Sequence, residues 1–152
     1  MKVISQIRRL SSRQDGTSLA ELALVLPLLI LILLGAIDFA RAYYLSIELC
    51  GAAQAGAMYG VQNRTDTAGI EVAAADNAPN VSNLVVSTPT WGCECSDGSG
   101  SSSSCTAKPS CSDDLVYWVK VSASANYTPV FPWPRIPSSL SLSQTAIMRS
   151  AN

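Results

Sequence analysis

The chain has 152 residues, a formal net charge of −1 and no histidine, a size that suits one modest domain. From Thr17 onward it carries six basic and ten acidic side chains, and nucleic-acid binding needs several basic groups on one face, so we predict no nucleic-acid partner. No serine has a base at a recognisable spacing and the glycines form no phosphate-binding loop, so we predict neither an enzyme nor a bound cofactor.

An unbroken apolar run extends over residues 22–37. With Leu19 and Ala20 it is about long enough to cross a bilayer, since a helix rises roughly 1.5 Å per residue and the hydrocarbon core is roughly 30 Å thick. Basic residues before a first apolar segment tend to stay in the cytoplasm, and four precede this run: Lys2, Arg8, Arg9 and Arg13. We therefore expect a single-pass membrane protein, with a cytoplasmic amino terminus and an extracytoplasmic carboxy-terminal domain.

Glu21 stands at the head of this run. A carboxylate inside a membrane span is costly unless it is paired, so such a residue is by default a functional candidate. No soluble fold needs a carboxylate at that position, and Glu21 is the residue to which we assign a mechanistic role.

The sequence around Gly16 resembles the prepilin signal of type IV pilin-like proteins, in which the mature chain has glutamate as its fifth residue. More narrowly, it is similar to the TadE-like pseudopilins of the tight-adherence (Tad, or Flp) pilus machinery. The residues that carry this likeness are Gly16-Thr-Ser-Leu-Ala-Glu-Leu-Ala-Leu-Val-Leu-Pro-Leu-Leu, then Gly35, Asp38 and Arg41. The tail resembles the family too, through Val119-Lys-Val, Tyr127-Thr-Pro and Leu140-Ser-Leu-Ser-Gln-Thr-Ala-Ile-Met-Arg149.

The resemblance implies that residues 1–16 are a leader and that a prepilin peptidase cuts between Gly16 and Thr17. It also implies a minor pilin or pseudopilin that helps to assemble or prime a Tad/Flp adhesion pilus. Such a protein resides in the inner (cytoplasmic) membrane, with incorporation into the extracellular pilus as the alternative. The implied partners are the peptidase, the major pilin, other pseudopilins, the inner-membrane platform and membrane lipid. The new ammonium of Thr17 and the carboxylate of Glu21 would then pair between neighbouring subunits, unless Glu21 reaches the inner headgroups instead.

Two other interpretations compete with a cleaved pilin. One is an uncleaved single-pass anchor that presents an extracytoplasmic adhesin or binding domain, since hydropathy does not reveal proteolysis. The other is a secreted protein with an ordinary signal peptide, but Ile37-Asp-Phe-Ala-Arg-Ala-Tyr is a poor match to a small-residue cleavage site.

A helical pattern continues beyond the apolar run, and we predict one long helix over residues 17–63. Ala52, Gly56 and Gly60 are spaced by four along one ridge of this helix. Small residues at that spacing allow another helix to approach closely, or allow the helix to pack on its own sheet, and the sequence leaves both open.

Residues 64–152 predict a small α+β domain, and the whole order suits a pilin-like architecture. A short helix is expected from about Asp66 to Asn77, ended by Pro79. An antiparallel sheet of about three strands should follow, over Asn83–Trp91, Leu115–Tyr127 and Leu140–Arg149, where apolar and polar residues alternate in the last two.

Residues 91–114 form a cysteine-rich loop whose serine-rich centre cannot pack a core. We expect two disulfides there, joining Cys93 to Cys105 or Cys111 and Cys95 to the other. A metal site is not expected, because the spacing is wrong and histidine is absent. The fifth cysteine, Cys50, is expected to be a buried small apolar residue, with a disulfide to a loop cysteine or to another subunit as alternatives.

Prolines and aromatic residues alternate over residues 127–137. We expect this stretch to close one edge of its own sheet, because proline blunts sheet edges. The alternative is an exposed extended segment that docks a neighbour.

Overall fold

The computed structural model describes residues 15–103 and 105–151, and the side chains from Ser18 onward. Most of the predicted leader, residues 1–14, lies outside the described residues. The chain divides into two compact units, of which the first ends at Phe39 and the second begins at Ala40.

The first unit contains the amino-terminal part of helix α1, which extends over Asp15–Gln62. The helix begins two residues before the predicted start at residue 17 and ends one residue before the predicted end at residue 63. Both differences lie within the usual uncertainty of helix ends. It continues through Pro27, which has no N–H to donate, so one intrahelical hydrogen bond is lost there.

The second unit adds a short helix, α2, and a five-stranded antiparallel sheet. Helix α2 is Thr67–Asp76, capped by Asp66 and Asn77, close to the predicted limits. The strands are β1 (Val85–Val86), β2 (Thr90–Cys95), β3 (Ser101–Ser103), β4 (Leu115–Tyr127) and β5 (Leu140–Ala151). The predicted strand over Asn83–Trp91 is divided into β1 and the start of β2, and the rest of β2 and β3 form a hairpin inside the predicted loop.

Strand β4 is the centre of the sheet. Strand β5 pairs with it continuously, from Val116 opposite Ala151 to Tyr127 opposite Leu140. Strands β1 and β2 both pair with the other edge of β4. Strand β1 lies opposite Ala123 and Ser124, and β2 lies opposite residues 115–120. Strand β3 pairs with β2.

The core lies between this sheet and the two helices. In β4 the odd-numbered residues from Tyr117 to Tyr127 are buried and the even-numbered ones are not, as the alternation predicts. One buried cluster joins Leu49, Ala52 and Ala53 of α1 to Ala123 and Ala125. A second cluster combines Ala57, Ile70, Val119 and Val121.

Within the second unit, α1 and β4 run in opposite directions. A Cβ atom added to Gly60 would lie 2.8 Å from Val119, and one added to Gly56 would lie 3.2 Å from Val121. The guanidinium of Arg41, much earlier in α1, lies 5.9 Å from the ring centre of Tyr127, at the end of β4. We call the part around Arg41 and Tyr127 the proximal end, because there α1 is nearest in sequence to the apolar run.

The opposite end of the second unit is the distal end, and Arg64 marks it. Its guanidinium lies 3.8 Å from the ring centre of Tyr117, close enough for a cation–π interaction. Strand β2 meets the same half of β4, with Cys93 opposite Tyr117 and Cys95 opposite Leu115. The cysteine pairs therefore lie at the distal end.

Candidate functional site

The apolar part of α1 leaves its side chains uncovered in the first unit. Large aliphatic residues are exposed all around the helix, Leu24 by 80% for example. This is the one helix in the described chain that is long and apolar enough to cross a membrane by length and composition. In water such a surface would be strongly unfavourable, so a membrane or a partner has to cover it.

Glu21 is exposed on this apolar helix. Gly16 and Thr17 lie in the first turn of α1, and the side chain of Thr17 is outside the described set. Thr17 and Glu21 are four residues apart, a spacing that places them on the same face of a helix. The residues predicted to take part in processing and in assembly thus occupy successive turns at the start of α1.

Farther along α1, the ridge of small residues is covered by the chain itself. Ala52 is fully buried. A Cβ atom on Gly56 would lie 3.1 Å from the Cβ of Ala74 in α2, and one on Gly60 would lie 3.0 Å from the Cδ1 of Ile70. The close approach that these glycines permit is therefore made by the chain's own sheet and α2.

Helix α2 is fixed against this ridge by its amino-terminal cap. The carboxylate of Asp66 accepts hydrogen bonds from the backbone N–H of Gly69, at 3.0 Å, and from the hydroxyl of Tyr59, at 2.8 Å. These bonds favour the ionised carboxylate, so they lower the pKa of Asp66 below its ordinary value, the Gly69 N–H most strongly. The Asp66 cap could be predicted from the sequence, but its link to Tyr59 of α1 could not.

At the distal end, two disulfides hold the β2–β3 hairpin. Cys93 is bonded to Cys105 and Cys95 to Cys111, with Cα–Cα distances of 5.5 and 5.4 Å. The structure thus selects one of the two pairings that the sequence left open. Cys50 is the free cysteine in the described part of the chain; it is half-buried, and its sulfur accepts a hydrogen bond from Gln54 at 3.5 Å.

Polar contacts support the same hairpin. The Asp97 carboxylate accepts hydrogen bonds from the backbone N–H and hydroxyl of Ser99 and from the hydroxyl of Ser112. The two bonds from Ser99 are the main reason that the pKa of Asp97 is lowered. On the outer face of the sheet, Glu94 of β2 forms an ion pair with Arg149 of β5 across β4.

At the proximal end, a loop rich in proline and aromatic residues connects β4 to β5, over residues 128–139. It supplies no strand to the described sheet, and the expectation that it closes a sheet edge stays a prediction. Tyr127 and Leu140 are the last paired residues of the β4–β5 ladder, and the loop projects past the end of that ladder. Proline nitrogens could not have continued the pairing.

Metal-binding geometry does not emerge in the region that the structure describes. No group of three or more cysteine and acidic side chains there could hold a metal ion. The features to explain are the apolar helix, Glu21 and the two ends of the second unit.

Residues 16–58 match the family model described as TadE-like protein. This confirms the resemblance predicted from the sequence for the segment that includes Gly16, Thr17, Glu21, Ala52 and Gly56. The matched segment begins at the predicted cleavage glycine and ends within α1. No curated protein and no solved structure matches the chain significantly.

Proposed function

We propose that this protein is a minor pilin or pseudopilin that helps to assemble or prime a pilus of the tight-adherence (Tad/Flp) type. The observation that carries the proposal is the TadE-like match over residues 16–58, together with the exposed apolar surface of the same segment. It acts as a structural and interaction protein and not as a catalyst.

The first step is proteolytic processing. A prepilin peptidase hydrolyses the peptide bond between Gly16 and Thr17, consuming one water molecule, releasing residues 1–16 and leaving an ammonium group on Thr17. The position is supported by Glu21, which becomes the fifth residue of the shortened chain. Until this step, the Thr17 nitrogen belongs to an amide and carries no charge for Glu21 to pair with.

The second step is association through the apolar helix. A carboxylate among lipid chains is strongly destabilised, and an ammonium at the same depth offsets much of that cost. One turn separates Thr17 from Glu21, so in a bundle of parallel helices the ammonium of one subunit can reach the carboxylate of the next. Because the two charges attract strongly in a low dielectric, this pairing fixes the axial register of neighbouring subunits.

The topology follows from the charges of the leader. Its basic residues stay in the cytoplasm, and the second unit lies on the other side of the inner membrane. The two disulfides support this placement, because disulfides persist in oxidising compartments. There the second unit can meet the major pilin and other pseudopilins, while α1 contacts lipid and the inner-membrane platform.

The test is genetic complementation in the native host. A strain without this chain should lose its surface filaments, counted by electron microscopy, and the intact chain should restore them. The D113N variant is a matched control, because Asp113 is an exposed carboxylate far from α1 in the sequence, and it should restore filaments equally. Normal filaments in the strain that lacks the chain would contradict the proposal.

A further inference from the structure

Residues 128–139 form an apolar loop for which the pilin role above gives no use. Val130 is 66% exposed, Ile136 48% and Phe131 40%. The rings of Phe131 and Trp133 meet edge to face, with centroids 5.1 Å apart, so the aromatic residues form one cluster. A cluster of this kind at the surface marks an interaction site.

The loop backbone presents this cluster in a defined way. The N–H of Ile136 donates to the carbonyl of Trp133 at 3.2 Å, which closes a turn over residues 133–136. Pro134 supplies a fixed φ in this turn, and Arg135 takes a positive φ of 72°. Trp133 and Ile136 therefore flank the turn, with the exposed Arg135 between them.

The loop lies at the proximal end of the second unit. It extends past the end of the β4–β5 ladder at the proximal end, where Tyr127 lies against Arg41. Arg41 follows the last apolar residue of the span, Ile37, by four residues, or about 6 Å of helix. On the same stretch of α1, Tyr43 is 62% exposed and Tyr44 is exposed as well.

Aromatic rings with apolar bodies, and basic side chains that reach phosphate groups, are typical of the membrane–water boundary. We propose that the loop over residues 128–139 inserts its Phe131–Trp133–Ile136 cluster into the headgroup region of the membrane that α1 spans, with Arg135 at the lipid phosphates. The loop and α1 then hold the second unit to the bilayer at two points. This inference rests on the proposed membrane insertion of α1.

Tryptophan fluorescence tests the contact, because the chain has three tryptophans, one of them in the loop. The W91F/W118F variant retains Trp133 alone. The matched W91F/W133F variant retains Trp118, which is nine residues before Tyr127 in β4 and thus about 30 Å toward the distal end. The processed full-length protein of each variant is reconstituted in vesicles of phosphatidylethanolamine and phosphatidylglycerol, with and without brominated acyl chains.

We expect bromine to quench the emission of Trp133 strongly and that of Trp118 little, and Trp133 to be shielded from iodide in the water. Equal quenching of the two, or free access of iodide to Trp133, would overturn the inference. A third outcome is that Trp133 is shielded from iodide but not quenched by bromine, and that this shielding depends on the protein-to-lipid ratio. The loop would then contact a second copy of the chain, and the inference would also be overturned. Protein that does not float with the vesicles would contradict the proposed function itself, whereas a floating protein with unquenched Trp133 contradicts only the loop contact.

Discussion

Gly60 of α1 approaches Val119 of β4 so closely that a Cβ atom added to the glycine would lie 2.8 Å from the Cγ1 of the valine. Both contacts of that added atom are buried core side chains, Val119 and Ile70, so neither can move aside into solvent. We predict that G60A destabilises the chain by about 1–3 kcal/mol, the usual cost of overpacking, although alanine favours a helix more than glycine does.

Urea unfolding of the detergent-solubilised full chain, followed by near-ultraviolet circular dichroism, measures this change. M58A is the matched control on the same helix, because Met58 is exposed, and it should change stability by less than about 0.5 kcal/mol. A G60A variant as stable as the parent would show that α1 packs against the sheet less closely than the 2.8 Å approach to Val119 indicates.

The cap of α2 should make stability depend on acid. The pKa of Asp66 is lowered in the folded chain by the Gly69 N–H and the Tyr59 hydroxyl, so the carboxylate stabilises the fold above the ordinary value of 3.8. That contribution is lost as the pH falls below 3.8 and through the folded pKa. We predict that D66N has a Tm less sensitive to pH in this acidic range than the parent has, because asparagine caps without ionising.

Thermal unfolding of both proteins from neutral to acidic pH provides the comparison. The D113N variant, which removes a carboxylate outside the cap, should retain the acid sensitivity of the parent. If D66N and the parent lose stability in parallel on acidification, the cap makes no pH-dependent contribution.

The disulfide pairing can be read by peptide mapping under non-reducing conditions. Cleavage after Glu94, after Asp97 and after Lys108 separates the four cysteines of the hairpin, since one site lies between each cysteine and the next. Lys108 precedes Pro109, so the third cut needs a lysine-specific protease that accepts a following proline. The linked peptides should join Cys93 to Cys105 and Cys95 to Cys111. Peptides that join Cys93 to Cys111 would refute this arrangement.

The second disulfide should also stabilise the second unit. Cys95 and Cys111 are separated by 16 residues, and closing a loop of about 15 residues is worth about 3 kcal/mol. The C95S/C111S double variant should lose about that much unfolding free energy and leave no new thiol, while C50S, which removes the free cysteine, should lose much less. If both variants lost the same unfolding free energy, the Cys95–Cys111 disulfide would contribute little by constraining the unfolded chain.

Much of this architecture could be predicted from local patterns. The alternation of Tyr117, Val119 and Val121 with polar residues identified β4 and its buried face, and Asp66 marked the start of α2 within one residue. The β2–β3 hairpin was missed because glycine and serine have weak strand preferences, and the ladder with β4 and the two disulfides override them.

The candidate site shows the same division between local and long-range information. Gly16, Glu21 and the apolar run can be recognised from adjacent residues alone. The spacing of Ala52, Gly56 and Gly60 identified a surface of close approach but not its occupant, since α2 and β4 are distant in the sequence. The contact between Arg41 and Tyr127 places the loop over residues 128–139 at the proximal end. This contact also depends on the antiparallel packing of β4 against α1, which local sequence does not reveal.

Glu21 should matter for assembly more than for processing. We predict that E21Q is still cleaved, because the scissile bond is retained, but enters filaments poorly, because the Thr17 ammonium of the neighbour loses its counter-charge. Sheared filaments and membranes, compared by immunoblotting, give the two readouts in one experiment. Wild-type incorporation of E21Q would count against the pairing.

The most direct test of the central claim is the intact mass of the protein extracted from its native membrane. The account predicts a chain that begins at Thr17, with residues 1–16 removed and the apolar run retained. A mass that still includes Met1 and the whole leader would contradict it in favour of an uncleaved anchor, and a mass that lacks the apolar run as well would indicate a secreted protein.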